Sequence, residues 1–483
     1  MQCLQCRTDN KPGRKFCAAC GNLLPLPCER CSFTNDIGDR FCGGCGSALA
    51  TQASPVVSSQ LPVASPQPPT PRTQHLDSGL RTSDPGRWTP PHLAERIRAA
   101  TLTEGECKTI TALFADLKGS TALIEGLDPE EARAIIDPAL QGLWEYYQSR
   151  VDHQRARDLA DQMLRYAQEK GDPTLLLVAH DVQADTLAWL GKFTVAREHA
   201  EAGIRLYDPK KHHALTFTYG GYDPGLVCHC YATFTLWSLG YPDQAVERIK
   251  ATLSLAYQLV HPFSLSWALC FAAMLAHFVG NERAAIEWLE ALRGVSDEQG
   301  FAFWSPWAPI LGGRIRTGQG YGEEEIVGMQ EGLTAWQATG TELLRPWFLT
   351  LLAESYGHLG QIEKGLDTVV EALSIGTQTG ERWSEAEGYR VKGELALQSK
   401  VKNPKSKVEE AEECFLKAID IARKQQAKSW ELRASTSLTR LWQSQGKHHE
   451  ARIMLSAIYS WFTEGFDTKD LQEAKVLLEE LSH

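Results

Sequence analysis

The sequence predicts a mainly α-helical fold: a solenoid of helical repeats, preceded by two small cysteine-rich modules and a short strand–helix segment. Three observations predict it. Eight of the 13 cysteines lie within the first 45 residues, residues 51–98 are rich in Pro, Ser and Thr, and similar helical phrases recur through residues 151–483. The Pro/Ser/Thr-rich stretch lacks hydrophobic periodicity, so we expect an extended tether there. Residues 99–150 carry the strand–helix segment.

Residues 1–50 contain two tandem copies of one cysteine pattern, "CLQCRTDNKPGRKFCAACGN" and "CERCSFTNDIGDRFCGGCGS". Each copy has two Cys-x-x-Cys pairs, and two facing turns of this kind complete a closed tetrahedral shell for one metal ion. The copies resemble the double zinc ribbons of many prokaryotic signalling proteins. Disulfides or free thiols are the alternative. We expect two structural Zn²⁺ ions, the first held by Cys3, Cys6, Cys17 and Cys20, and the second by Cys28, Cys31, Cys42 and Cys45.

Charge and hydropathy disfavour nucleic-acid and membrane partners. The chain carries a net charge of −11. Residues 1–50 hold six Lys/Arg and four Asp/Glu, and eight thiolates on two Zn²⁺ bring their total near −2, which argues against a zinc-ribbon transcription regulator. The start "MQCLQCRTDN" lacks the profile of a secretory signal, and the most apolar stretch, Phe263–Gly280, is interpreted as a buried repeat helix. We therefore expect a cytoplasmic protein.

The segment "LFADLKGSTALIEGLDPEEARAIID" combines an apolar strand with a helix that begins at Asp128 and Pro129. It resembles the first strand, phosphate turn and first helix of class III adenylate/guanylate cyclases. The resemblance implies that Asp116 stands where that family binds its metal ions. It also implies that Gly119, Ser120 and Thr121 belong to a phosphate-binding turn, and a helix N-terminus suits phosphate.

The rest of a cyclase site is missing from the sequence. That family uses a second metal-binding Asp in a Gly-Asp hairpin, and the later Gly171-Asp172 pair leads into a Leu-rich helical run instead. We therefore interpret residues 99–150 as a truncated cyclase remnant with no catalytic residue, where Mg²⁺ would matter only if residual cyclase chemistry exists. Two alternatives stay open: an ordinary strand-to-helix turn, and a class III nucleotide cyclase completed by another chain.

Residues 151–483 read as helical hairpins separated by glycine turns. The turn glycines are spaced mostly 40 residues apart, and the longer last gap holds an extra unit, "KVEEAEECFLKAI"; they are Gly191, Gly240, Gly280, Gly320, Gly360 and Gly446. Small residues six or seven apart, such as Ala245/Ala251 and Ala285/Ala291, should mark the helix faces where neighbours approach closely. The array resembles tetratricopeptide repeats (TPR) and should form one superhelix with a concave surface.

The domain order resembles large bacterial proteins that join a zinc ribbon, a class III cyclase domain, a P-loop ATPase and a TPR array. No Gly-x-x-x-x-Gly-Lys-Ser/Thr loop occurs here, so the whole ATPase is missing along with most of the cyclase domain. The sequence therefore predicts a non-catalytic protein-interaction or regulatory protein of bacterial signal transduction. A protein partner should bind the TPR concave surface, and a homo-oligomer is possible.

Three local clusters invite a functional interpretation, and each has a simpler one. Cys228–Cys230 with His212 and His213 could bind a metal, but neighbours on a helix point in different directions. The aromatic stretch "FAFWSPWAP" could anchor a peptide in the concave groove, although buried packing is the expected outcome. His448 and His449 should be solvated.

Overall fold

The computed structural model describes residues 129–400 and 403–482, and side chains from residue 137 onward. The chain divides into two units, Met1–Ala94 and Glu95–His483, and every described residue belongs to the second unit. The cysteines expected to bind zinc, the tether, and the expected strand with Asp116, Gly119, Ser120 and Thr121 lie outside the described residues.

The described residues fold into helices joined by short turns. Their bounds are α1 Pro129–Ser149, α2 His153–Lys170, α3 Pro173–Trp189, α4 Phe193–Leu206, α5 Pro209–His212, a 3₁₀ turn at His213–Phe217, α6 Pro224–Ser238, α7 Pro242–Leu259, α8 Pro262–Phe278, α9 Glu282–Gln299, α10 Trp307–Gly318, α11 Glu323–Ala338, α12 Arg345–His358, α13 Ile362–Thr379, α14 Glu385–Gln398, α15 Pro404–Lys424, α16 Lys428–Ser444, α17 His448–Tyr459 and α18 Lys469–Glu480.

The predicted hairpin array is confirmed. From α3 to α17, inner and outer helices alternate, with α3, α6, α8, α10, α12, α14 and α16 as the inner members. All six turn glycines that the sequence indicated have a positive φ, from 70° at Gly191 to 93° at Gly240. Each lies just beyond an inner helix, where a left-handed residue ends the helix at little steric cost. The extra unit is the α14–α15 hairpin.

Inner helices are buried on every side, whereas outer helices bury one stripe. In α6, from Pro224 to Ser238, only His229 is not buried. In α7 the buried residues recur at helical spacing, as in Ala245, Ile249 and Ala256. The apolar stretch interpreted as a repeat helix is α8, and within the part of the chain that the structure describes no helix is long and apolar enough to cross a membrane.

The predicted small-residue faces are only partly correct. Ala245 and Ala285 are fully buried, but Ala251 is exposed and Ala291 is half-buried. The inward position lies seven residues further on, not six, and is occupied by Thr252 and by Leu292. Two turns of an α-helix span about seven residues, so the shorter spacing rotates the side chain away from the neighbouring helix.

The superhelix closes on itself after one turn. Backbone carbonyls at the C-terminal ends of helices in the first turn (α1–α9) accept hydrogen bonds from the second turn (α10–α18). The partners are Ser149 O with Glu342 N (2.9 Å), Trp189 O with Arg382 N (3.0 Å) and Trp383 N (3.2 Å), Trp237 O with the Ser429 hydroxyl, Phe278 O with Arg433 Nη2 (2.6 Å), and Val279 O with Lys469 N (3.3 Å). Ser429 and Trp237 are 192 residues apart in the sequence.

Val260 should be a site of stored backbone strain. It ends α7 in the left-handed region with φ 52° and is 84% exposed, while Gly300 and Gly380 hold the equivalent place after α9 and α13. A side chain in this region costs about 1–2 kcal/mol.

We predict that Val260→Gly raises the free energy of unfolding by about 1 kcal/mol, because the relief of strain exceeds the entropy that glycine adds to the unfolded chain. Urea unfolding followed by tryptophan fluorescence measures the change. The matched control Val370→Gly, at an exposed position inside α13, should lower the same quantity by a similar amount. A Val260→Gly variant that is also less stable would contradict the strain.

Candidate functional site

The concave side of the superhelix, where the sequence placed a partner, is filled by the protein's own aromatic side chains. Trp383 lies at the centre, with its ring centroid 5.5 Å from that of Trp189 and 5.2 Å from that of Phe234. Trp237 and Trp430 meet edge to face at 4.7 Å across the two turns. None of the seven rings is more than 2% exposed: Trp189, Phe234, Trp237, Phe278, Trp347, Trp383 and Trp430.

Arg433 closes one end of this aromatic core. Its guanidinium carbon lies 5.3 Å from the ring centroid of Trp237 and 5.2 Å from that of Trp430. Its Nε donates to Asp470 at 2.7 Å and its Nη2 donates to the Phe278 carbonyl at 2.6 Å. The guanidinium is therefore satisfied by π faces, a carboxylate and a helix end.

A chain of ion pairs continues along the inner helices of the second turn. Arg314 on α10 donates to Glu354 on α12 at 2.6 Å, and Arg390 on α14 reaches Glu354 at 3.4 Å and Glu387 at 2.7 Å. Burial would raise the pKa of Glu354, but Arg314 and Arg390 outweigh it and hold that pKa well below its usual range. Because these charges are paired with one another, they link the inner helices α10, α12 and α14 and are not free to bind a ligand.

These contacts correct the expected location of partner binding. Over the inner helices α3, α6, α8, α12 and α14, the middle turns contain no exposed residue. The concave side of the described residues is therefore an interior, not an open groove. The physical reason is the closure of the superhelix, which places the inner helices of one turn directly against those of the next.

Helix α1, which the sequence assigned to a cyclase remnant, packs onto the first inner helices. Its fully buried face carries Gln141, Trp144 and Gln148, whereas Leu140 and Leu143 are half-buried. Gln148 Nε2 donates to Asp185 at 2.7 Å, Trp144 Nε1 to Thr186 at 2.8 Å, and Gln141 Nε2 to Tyr222 at 3.2 Å. The helix therefore begins the superhelix.

A cluster of carboxyl groups lies where α1 meets α3: Asp181 and Asp185 are buried, and Glu145 is half-buried. Burial raises the pKa of Glu145 to about 7 and that of Asp185 to about 7. Burial also raises the pKa of Asp181 well above its usual range, with Asp185 and Glu145 adding to the rise. Neither oxygen of Asp181 has a hydrogen bond of ordinary geometry. The fold therefore favours the protonated, neutral form of Asp181.

The three local clusters singled out in the sequence form no binding site among the described residues. Cys228 and Cys230 are buried, and burial raises the pKa of both thiols well above its usual range. In residues 129–400 and 403–482, no group of three or more His, Cys, Asp and Glu side chains could hold a metal ion. In the aromatic stretch, Trp304 and Trp307 are buried in the core, as expected, and His448 and His449 are exposed.

An open cleft lies at the seam where the two superhelical turns meet. Its volume is about 640 Å³, and its lining residues are Thr194, Arg197, Glu198, Glu201, Arg205, Leu239, Tyr241, Arg423, Gln426, Lys428 and Trp461. The first seven come from the first turn and the last four from the second. Thr194 donates to Gln426 Oε1 at 2.7 Å across the seam. This site could not be predicted from the sequence, because its residues share no motif or spacing.

Four cations and two carboxylates line this seam cleft, so its net charge is positive on an acidic protein. The Arg197 guanidinium lies 5.2 Å from the Tyr241 ring centroid, and Lys428 Nζ lies 5.7 Å from that of Trp461. The two rings are 5.6 Å apart. The cleft thus combines cations with an aromatic wall, which suits an anionic ligand that also has apolar parts.

The architecture defines the class of protein: a helical-repeat superhelix that follows a double zinc ribbon. Residues 3–46 match the family model described as Double zinc ribbon. Eight thiolates in four Cys-x-x-Cys pairs are the donor set that two tetrahedral zinc sites require, so the match supports zinc binding.

An uncharacterized protein of Rhizobium meliloti (strain 1021) is 26% identical over 360 residues, 69% of this chain and 33% of that protein. The chain thus spans about a third of the length of the curated relative that it matches. The Rap protein complexed with competence and sporulation factor has a TM-score of 0.46 at 10% identity, covering 72% of this chain and 97% of that one. A signal transduction ATPase with a tetratricopeptide repeat sensor from Pyrococcus horikoshii has a TM-score of 0.36 at 13% identity, covering 67% and 49%.

The buried Asp181 predicts a pH-dependent stability difference. Because the pKa of this carboxyl is raised in the folded state, the unfolded state releases the proton first, above about pH 4. The wild type therefore loses stability at this site as the pH rises, by up to about 1.4 kcal/mol per pH unit, until Asp181 ionises in the fold. Asp181→Asn keeps the neutral form at all pH values. We expect its unfolding free energy, relative to wild type, to rise from pH 5 to pH 8 in urea titrations. Asp297→Asn, at an exposed position, is the control. A pH-independent difference between Asp181→Asn and wild type would contradict the raised pKa of Asp181.

The ribbons predict two zinc ions per purified chain, measured by elemental analysis beside native mass spectrometry. Replacing one ligand, as in Cys6→Ser or Cys31→Ser, should remove one ion, because three thiolates hold structural zinc much less tightly. The control Cys107→Ser, outside both ribbons, should keep both. Loss of zinc from the control, or its retention in both ligand variants, would refute the assigned ligands.

Proposed function

We propose that this chain is a non-catalytic protein-interaction protein of bacterial signal transduction, whose helical-repeat superhelix binds a protein partner. The observation that carries the proposal is the superhelix itself, a rigid scaffold of stacked hairpins with an open, charged cleft at its seam. Repeat architectures present large continuous surfaces, and such surfaces suit macromolecular partners. The partner would use the seam and the outer helices, since the concave side is filled.

The zinc ribbons would supply a second protein-contact module. Their expected net charge near −2 does not favour phosphate, so a protein surface is the better partner. The Pro/Ser/Thr-rich tether between the ribbons and the superhelix would allow the two modules to reach different places on one assembly. Two linked contacts raise the overall affinity without strengthening either one.

We further propose that residues 99–150 are a cyclase remnant. The motif with Asp116 supports it, and the packing of α1 suggests what became of the helix: its Gln141, Trp144 and Gln148 hydrogen-bond to α3 and to Tyr222. A helix committed to the first repeat serves the superhelix. The enzymatic alternative is a class III cyclase site completed by another chain.

The deciding measurement is conversion of ATP and GTP to cyclic nucleotides with Mg²⁺ or Mn²⁺, for the full chain and for Asp116→Ala. We expect no turnover above that of the variant, because a lone carboxylate is a poor two-metal site. Turnover that disappears with Asp116→Ala would overturn the non-catalytic proposal. In parallel, cross-linking in the source bacterium should join one defined protein to the superhelix; cross-links to the ribbons alone would remove the superhelix from the interaction.

A further inference from the structure

We propose that the seam cleft binds a short acidic peptide segment, with its carboxylates on Arg197 and Arg205. This inference rests on the proposed function, since it names the chemistry of the partner. The cleft is lined from both superhelical turns by residues of α4, of the α6–α7 turn, of the α15–α16 turn and by Trp461. A bound segment would therefore contact both turns at once.

Two of the four cations at the seam are available to a ligand. Among the described residues, no carboxylate lies within ion-pair distance of Arg197 or Arg205. By contrast, Arg423 and Lys428 share Glu431, at 2.6 Å and 2.7 Å. The guanidinium groups of Arg197 and Arg205 face the cleft from α4, and each can bind a carboxylate through two parallel hydrogen bonds.

These two arginines stand on a rigid support. Another face of α4 is buried through Phe193, Ala196 and Gly203, and a Cβ at Gly203 would overlap the Cys228 sulfur. The Arg197 side chain is further restrained over the Tyr241 ring. This contact reduces the conformational entropy that Arg197 has to lose when an anion binds, which favours affinity.

The lining favours carboxylates over a polyphosphate. Glu198 and Glu201 belong to the same wall, and Glu201 is only partly neutralised by Arg248 at 2.7 Å. A polyphosphate would bring several negative charges against these carboxylates, whereas a peptide can place single carboxylates on the arginines and donate its N–H groups to the glutamates. Leu239, Tyr241 and Trp461 offer apolar contact to intervening side chains.

A volume of about 640 Å³ matches a short extended segment, not a folded domain. Since Trp461 is partly exposed at this wall, its fluorescence should report occupancy. The charge pairing also requires that affinity fall as salt is added, because the contacts are near the surface.

The test is selection of random-sequence phage-displayed peptides on the full chain, followed by measurement of Kd for the best synthetic peptide by fluorescence anisotropy. We expect Asp and Glu to be enriched. Arg197→Glu and Arg205→Glu should each raise Kd by about tenfold or more, and replacing the acidic residues of the peptide by amides should do the same. The control Arg452→Glu, an exposed charge reversal on α17, should leave Kd unchanged.

Four results would overturn the inference. Peptides without acidic enrichment, or acidic peptides whose Kd ignores both reversals, would exclude the seam cleft but leave the proposed protein interaction standing. Displacement of the peptide by ATP at similar concentration would replace the carboxylate ligand with a phosphate one. No selected peptide, together with no cross-linked partner in the cell, would defeat the proposed function as well.

Discussion

The carbonyl groups at the ends of the inner helices are the groups on which this structure depends. An α-helix leaves its last carbonyls without intrahelical partners, and a buried helix end needs other donors. Here Trp189 O, Trp237 O and Phe278 O find them in Arg382, Ser429 and Arg433 of the next superhelical turn. This pairing allows the inner helices to be buried on every side without leaving these backbone carbonyls unsatisfied.

Closure has a functional cost and a functional gain. An open superhelix offers its concave side to a partner, and this one has filled that side with tryptophan and paired charge. In exchange, two distant parts of the chain meet along a seam, and the seam collects polar groups that neither turn could bury alone. As a result, the seam between the two turns, and not the concave side, is the surface that can recognise a partner.

The hairpins were predictable from local signals, and the closure was not. Glycines after the inner helices, such as Gly240 and Gly280, indicate left-handed turns in the sequence itself. The apolar composition of α8 likewise indicates that this helix is buried. By contrast, no sequence pattern predicts that Trp237 and Ser429 are in contact. The buried polar face of α1 could not be predicted for the same reason: Gln148 is buried against Asp185, and a hydrophobic pattern cannot reveal a hydrogen-bonded interior. Arg197 and Trp461 of the seam cleft likewise become neighbours only in three dimensions.

Solenoid proteins normally fold through contacts between neighbouring repeats, so that each repeat is covered soon after it is made. In this chain, Trp237 is covered by Trp430 and Ser429, which emerge 192 residues later. At ordinary rates of synthesis that interval is about 10–40 s. During this time the nascent first turn exposes tryptophan side chains and unsatisfied carbonyl groups. The partly synthesised protein is therefore prone to aggregate through the face that the second turn later buries, and it needs protection in the cell.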